Sequence, residues 1–457
     1  MPLVAGVDSS TQSTKVELRD LDSGALVAAG RAAHPTAEPP RSEQDPRAWW
    51  DALVEAFAAT GDSRRDVVSI AVAGQQHGLV VLGDDGEPLR PAKLWNDTES
   101  AGDAARLVDE LGAAGWADAC GSVPVASFTI SKLAWLARAE PALIGDIARV
   151  LLPHDYLTYR LTEAFVTDRG DASGGGWFDR TSGEYRSDLL ALAGGRDDWA
   201  SLLPTVLDPY SIAGTITTTA AAALGLPADI SVGPGTGDNM AAALGLGLAE
   251  GDLAMSLGTS GTVYAVSSTP TADPTGAVAG FCDAAGGYLP LVCTLNATKV
   301  TDTVASWVGA DRDSFSELAM SSPAGANGVS LTPYFDGERT PNLPEATGTF
   351  EGLRNSTTPA DLARAAHEGV VRGLLHGVDA LDAAGASVGG RLHLIGGGAK
   401  SAAYRAVVAD LHGAPIRVPS DDETVATGAC VQAARVHAGP SAASGWVLGA
   451  GEEVSPG

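Results

Sequence analysis

A two-domain α/β fold is what this sequence predicts, and three observations carry the prediction. The chain of 457 residues is longer than one hydrophobic core usually supports. Strand-like and helix-like stretches interleave along it. A strand, a hydroxyl-rich turn and a returning strand open each half. Hydrophobic residues make up 45% and charged residues 19%, the balance of a globular chain and not of a disordered one.

In the first half, Leu3 to Val7 reads as a buried strand and Asp8 to Thr14 as a polar turn. Lys15 to Arg19, with Val16 and Leu18 on one face, is the returning strand. A second turn, Leu21-Asp22-Ser23-Gly24, leads to a third strand over Ala25 to Arg31. A helix runs from Pro46 through Trp49, Trp50, Leu53 and Phe57. The strand Val67 to Ala73 then ends in Gly74-Gln75-Gln76-His77-Gly78. The middle is helix-like around Ile130 to Ala139 and Asp155 to Leu161, and Gly170 to Gly176 reads as a Gly/Ser-rich loop. An apolar strand pattern and turn, Pro227 to Val232, lead into Gly233-Pro234-Gly235-Thr236-Gly237-Asp238-Asn239, and a helix follows over Met240 to Leu248.

The second half repeats the opening. Leu253 to Leu257 and Thr262 to Val266 are strands on either side of Gly258-Thr259-Ser260-Gly261. Tyr288 to Thr294 is a third strand, and a helix follows near Thr298 to Val308. Thr358 is a good N-cap with Pro359 at the first helical position and Asp361 where a capping-box acid sits. The apolar face Leu362, Ala366, Val370, Leu374, Val378 and Leu381 continues that helix towards Gly385. Arg391 to Ile395 feeds Gly396-Gly397-Gly398, then come a helix over Ser401 to Leu411, a strand over Ile416 to Val418 and a helix over Thr424 to Val436. The repeat period is too long for a solenoid, so two similar domains are expected, residues 1–245 and 246–457, with the boundary near Gly245 to Gly251.

Lys plus Arg is 29 against 56 for Asp plus Glu, a formal charge of −27. That much acid repels nucleic-acid phosphate and anionic lipid, so neither is an expected partner. A phosphate ligand is still open, because backbone N–H groups bind phosphate without lysine. The apolar start is too short for a signal peptide, and no apolar run has the length of a spanning helix. Cys120, Cys282, Cys293 and Cys430 are scattered, with no CxxC pair. They read as buried reduced thiols in a cytoplasmic protein.

Several stretches can carry chemistry. Asp238 follows turn-forming residues at the start of a helix, where the helix dipole favours its anion and lets it accept a proton from a hydroxyl. Taken alone it reads first as a helix N-cap. The turns at Asp8 to Lys15 and Ser256 to Thr262 offer hydroxyls and N–H groups that could grip a polyphosphate, with Asp8 ready to hold a divalent cation. Each alone is an ordinary hairpin. Gly396 to Gly398 joins a strand to a helix, where a ligand ring or ribose could approach, or simply makes a tight connection. It is neither a dinucleotide fingerprint nor a P-loop. Gln75-Gln76-His77-Gly78 follows a strand end, where open α/β sheets place ligands, and Trp95-Asn96-Asp97 adds an aromatic wall beside amide and carboxylate. Such groups suit a polyhydroxylated substrate, although core packing accounts for each singly.

Taken together and in order, these stretches resemble the FGGY family of carbohydrate kinases. The resemblance runs over nearly the whole chain. It includes Ser42-Glu43-Gln44-Asp45-Pro46 with Trp49-Trp50, Ala73 to Gly78, Leu94 to Asp97, Leu152-Pro153-His154-Asp155-Tyr156-Leu157, Gly237 to Asn239, Ser256 to Gly261, Thr332 to Pro341 and Ile395 to Ala399. It implies two actin-like (ribonuclease H-like) domains with mixed sheets flanked by helices around a central cleft. The sugar would lie mainly on the N-terminal domain and ATP mainly on the C-terminal one. By resemblance, Asp238 is the catalytic base, Gln76, His77, Asp238 and Asn239 contact the sugar, and Trp95 and Asp97 line the pocket. Ser10, Thr11 and Gln12, Gly258, Thr259 and Ser260, and Gly397 and Gly398 belong to the ATP site, and Asp8 with Asp238 to the Mg²⁺ site.

The implied reaction is ATP-dependent phosphorylation of D-xylulose at its 5-hydroxyl by an enzyme that is often a homodimer. Alternatives are another family substrate (ribulose, a deoxyketose, gluconate, or glycerol, the least favoured) and a non-catalytic actin-like sugar sensor. Departures from the family pattern are the Ser9 to Ser13 loop in place of a Gly-Thr-Ser-Gly core, Gln76 where methionine is common, and Glu99 where arginine is frequent.

Overall fold

The structure, a computed structural model, describes residues 1–420 and 423–457. It divides into two compact units. The first comprises Met1–Gly247, Gly280–Tyr288 and Glu423–Leu448. The second comprises Leu248–Ala279, Leu289–Asp422 and Gly449–Gly457. The chain first leaves the first unit after Gly247, and the late helix Thr424–Ala438 is counted with that unit.

The first unit is built on a mixed sheet. Leu3–Ser9, Ser13–Asp20 and Leu26–Ala33 form an antiparallel meander, and Val67–Gly74 lies parallel to the first of them. Leu3–Ser9 is buried at every position, as a strand covered on both faces must be. Helix Pro46–Ala59 starts from Asp45, whose side chain accepts the Arg47 N–H, and buries Trp49, Leu53 and Phe57. The core of this unit joins those residues to Val7, Ile70, Val72, Tyr156, Leu157 and Leu161. Two short strands, Ser231–Val232 and Thr236–Gly237, both add to Val67–Gly74 in parallel.

The second unit repeats the same connections. Leu253–Leu257 pairs antiparallel with Gly261–Ala265 and parallel with Leu392–Ile395. Gly261–Ala265 pairs antiparallel with Tyr288–Thr294. Ile416–Pro419 and Gly451–Val454 extend the sheet beyond Leu392–Ile395. The helix Pro359–Ala383 has the expected capping box: the Asp361 N–H donates to the Thr358 hydroxyl, and the Thr358 N–H donates to Asp361 Oδ2. It buries Ala366, Val370, Leu374 and Leu381 against the second core.

Three expectations need correction. Gly170 to Gly176 is not loop throughout: Arg169–Ala172 is a helical turn capped by Asp168, which accepts the Gly170 and Asp171 N–H groups. Val278–Cys282 is a strand that the pattern did not separate. Cys293 is only half-buried, although all four cysteines are unpaired. Among the described residues, no helix is long and apolar enough to cross a membrane.

Candidate active site

Register places the first unit's functional residues side by side. Asp8 faces Ala73 and Ser9 faces Gly74 across one parallel pair, and Thr236 and Gly237 face Ala73 and Gly74 across the other. The segments that follow these three strands, carrying Ser10 to Gln12, Gln75 to His77 and Asp238 to Asn239, therefore leave one sheet edge together. That edge is the carboxyl end of its parallel strands, where open α/β sheets bind ligands.

Asp238 opens the helix Asp238–Leu246 as its first residue, with Gly237 as the cap. Its Oδ1 accepts the Asn239 N–H at 2.8 Å and Asn239 Nδ2 at 3.0 Å. Asn239 Nδ2 also donates to Gln76 Oε1 at 2.9 Å, so Asp238, Asn239 and Gln76 form one chain. Gln76 Nε2 is buried without a hydrogen-bond partner among the described residues. Burial, with the charges of Asp8 and Asp171 nearby, pushes the Asp238 carboxyl up to about 7.

His77 sits in the left-handed region at φ 65°. Its Nδ1 lies 2.9 Å from the Gly174 carbonyl, and its ring packs between Phe128 and Phe281 with centroids 4.9 and 5.5 Å away. A Cβ on residue 174 would lie 2.8 Å from the ring, so glycine is required there.

Trp95 is 38% exposed and donates from Nε1 to the Thr11 hydroxyl at 2.9 Å, which in turn donates to Gln75 Oε1 at 3.1 Å. That chain uses the Thr11 hydroxyl inside the first unit, and the Thr11 carbonyl accepts Gln44 Nε2. Ser10 and the exposed Gln12 are the members of this turn best placed for a ligand. Asp97 is wholly buried. Its oxygens accept the Ser42 and Glu99 N–H groups and Lys93 Nζ, so it braces the Trp95 loop. Lys93 Nζ lies 3.2, 3.0 and 2.6 Å from Glu43, Asp97 and Glu99, and its ammonium takes the place a metal would have among them.

Asp8 suits a hard cation. Its Oδ1 is buried and has no hydrogen-bond partner among the described residues, while Oδ2 lies 3.4 Å from Lys15 Nζ. Burial raises its carboxyl to about 6, partly offset by Lys15. Asp8 and Asp238 are close enough to feel each other's charge. Two oxygen-donor carboxylates completed by water are the usual Mg²⁺ set. Lys15 is partly exposed and bridges Asp8 and Glu423.

In the second unit, the turn Gly258 to Ser260 closes with the Gly258 N–H donating to the Ser260 carbonyl at 3.0 Å. Thr298, at the start of helix Thr298–Val308, donates to the Gly258 carbonyl through both its N–H and its hydroxyl. Gly396 and Gly398 press on Leu257, where a Cβ would come within 2.7 Å, whereas Gly397 faces open space. The glycine turn and the glycine run thus meet at the carboxyl ends of two parallel strands, as their counterparts do in the first unit.

The sequence missed the layer beneath the first unit's residues. His154, Asp155, Asp168 and Asp171 form a buried charged cluster there. Leu152 to Leu157 and Gly170 to Gly176 were both visible as stretches, but nothing in either names the other as its partner.

Residues 3–245 match the N-terminal domain of the FGGY family of carbohydrate kinases, and residues 253–437 match its C-terminal domain. The chain belongs to that family. Among individual relatives, the xylulose kinase of Streptomyces coelicolor is 49% identical over 97% of this chain and 90% of its own length. The xylulose kinase of Streptomyces rubiginosus is 48% identical over the same shares. The crystal structure of xylulose kinase from Bifidobacterium adolescentis superposes with a TM-score of 0.92 at 42% identity, over 100% of this chain and 96% of that one.

Proposed function

We propose that this carbohydrate kinase phosphorylates D-xylulose at its 5-hydroxyl with ATP, and that Asp238 is the general base. The observation that carries the reading is the shared sheet edge that brings Asp8, Gln76-His77 and Asp238-Asn239 together. The xylulose kinases that match almost the whole chain support the choice of sugar.

Gln76, His77 and Asn239 orient the ketose, with Trp95 as an aromatic wall. Asp238 accepts the hydroxyl proton as the sugar oxygen bonds to the γ-phosphorus and the bond to the ADP oxygen breaks. Positioning and charge neutralisation carry most of the acceleration, since phosphoryl transfer asks little covalent chemistry of the protein. Magnesium, when bound by Asp8 and Asp238, supplies that neutralisation at the phosphate oxygens. Ser10, Gln12, the Gly258 to Ser260 turn, Gly397 and Gly398 hold the nucleotide.

A coupled ADP-release assay tests the reading, with D-xylulose, D-ribulose, a deoxyketose, gluconate and glycerol as acceptors. D-Xylulose should give the highest kcat/KM, and Asp238→Ala should lower kcat by at least about 10³-fold while ATP still binds. Near-normal D-xylulose turnover in that variant refutes the base. ADP release that ignores every sugar refutes the kinase.

A further inference from the structure

Beneath the turn that carries Asp238 lies a charged cluster that no step above uses. His154 begins the helix Pro153–Thr162 and is wholly buried. Its Nδ1 lies 2.8 Å from Asp171 Oδ2, and its Nε2 lies 3.1 Å from Asp155 Oδ1 and 3.8 Å from Asp168 Oδ1. All three carboxylates are buried as well.

We propose that His154 is the positioning residue of this site, holding the turn Gly233 to Asp238 in place through direct contact at Gly235 and through Asp168 at Thr236. The inference rests on Asp238 being the base.

Four observations support it. Gly235 has φ +80°, and a Cβ there would lie 2.5 Å from His154 Cδ2 and 2.6 Å from the Val72 carbonyl, so the turn is closed between the imidazole edge and the strand. Thr236 Oγ1 donates to Asp168 Oδ2 at 2.8 Å, and Asp168 also caps the short helix that carries Asp171. Gln432 holds the other side: the Gly235 N–H donates to its Oε1 and its Nε2 donates to the Gly235 carbonyl, both at 3.0 Å. The ring's cationic form is what the surroundings ask for, because three buried carboxylates outweigh desolvation and raise His154 to about 9. Nδ1 is within hydrogen-bond distance of Asp171, while Nε2 has no hydrogen-bond partner among the described residues and meets Asp155 and Asp168 through charge. Asp171 is then fixed by one oxygen, and its charge reaches Asp238.

The cluster could instead serve only to hold the fold together, and kinetics separate the two. His154→Gln and Thr236→Val are compared with Asp238→Asn, with kcat expressed per folded enzyme. Misplacing a reacting group by about 1 Å costs on the order of 10²-fold, so His154→Gln should lower kcat by about 30- to 100-fold and Thr236→Val by about 10-fold. KM for ATP should stay within about twofold, because neither residue touches the nucleotide turns. His154→Lys, which keeps a cation, should recover about tenfold over His154→Gln. A purely structural role would lower the folded fraction and leave kcat per folded molecule unchanged. Should His154→Gln fail to fold, the near-isosteric Thr236→Val decides. Wild-type kcat in Thr236→Val beside an inactive Asp238→Asn overturns the positioning role alone. An active Asp238→Asn overturns the base and this inference with it.

Discussion

Asp238, the proposed base, shows how burial and neighbouring charge act on a single carboxyl. Its carboxyl is raised to about 7 by burial first and by the charges of Asp8 and Asp171 second, and that of Asp8 is raised to about 6 by burial, against the pull of Lys15. A carboxyl raised in the folded chain binds its proton more tightly there than in the unfolded chain, where it titrates near 3.8. The folded state therefore loses stability as pH climbs from the unfolded value to the folded one, and above about 7 the full cost is present. Asp238→Ala should accordingly raise Tm at about pH 8 by roughly 2–5 °C, and the gain should vanish below about pH 4. Scanning calorimetry at the two pH values checks this, and a variant less stable than wild type at the higher pH contradicts it. Kinetics carry the opposite sign: kcat/KM for the ketose should fall tenfold per pH unit below a break at about 7, or lower where bound magnesium draws the carboxyl down. Asp238 was legible because glycines and a helix start surround it in sequence. His154 was not, since its partner Asp171 is 17 positions away and a histidine just before a helix pattern gives no sign of three carboxylates around it.

Elements were legible where a local rule defines them. The capping box at Thr358 and Asp361, and the glycine turns between short strands, are local chemistry, and the chain follows it. What the sequence hides is which elements press on which. Helix Thr424–Ala438 reads as an ordinary apolar helix, yet it packs backbone to backbone on the helix that carries Asp238. A Cβ on Gly428 would lie 1.8 Å from the Ala241 carbonyl, and one on Gly245 would lie 1.9 Å from the Thr424 carbonyl. The same helix meets the first strand at Gly6, where a Cβ would lie 2.1 Å from the Ala426 carbonyl. Three glycines that a propensity scale reads as weak spots are the contacts that allow this packing. Gly428→Ala should cost about 1–3 kcal/mol in urea unfolding, because a carbonyl cannot rotate away as a side chain can. It should also lower kcat, since the displaced element carries the proposed base Asp238. Gly373→Ala is the control. It lies inside Pro359–Ala383 with open space around it, and should stabilise by about 0.5–1 kcal/mol. Equal effects at the two positions would mean that close helix packing is not what the glycine at 428 provides.

At the scale of the whole molecule, the repeat was the strongest signal, because hydroxyl-rich turns between paired strands occur in both halves and the structure gives both halves the same strand connections. Each unit has its own core, one around Val7, Ile70 and Tyr156, the other around Met255, Val370 and Leu394. The late helix was the exception: its sequence position points to the second unit, while its contacts count it with the first. Under the proposed division of sugar and nucleotide between the units, a core of its own would let each unit respond separately to its ligand, since a ligand stabilises the state that binds it by about 2.7 kcal/mol at a hundredfold excess over Kd. Native-state hydrogen exchange can read the two responses apart. D-Xylulose alone should slow exchange in Val67–Gly74 and Asp238–Leu246, and to a lesser degree in Thr424–Ala438, which packs on the latter. A non-hydrolysable ATP analogue alone should slow exchange in Leu253–Leu257, Gly261–Ala265 and Leu392–Ile395. His77→Ala should remove the first pattern and leave the second. If the nucleotide analogue protects only the first unit's strands, the division of labour between sugar and ATP is wrong, even if turnover of D-xylulose is normal.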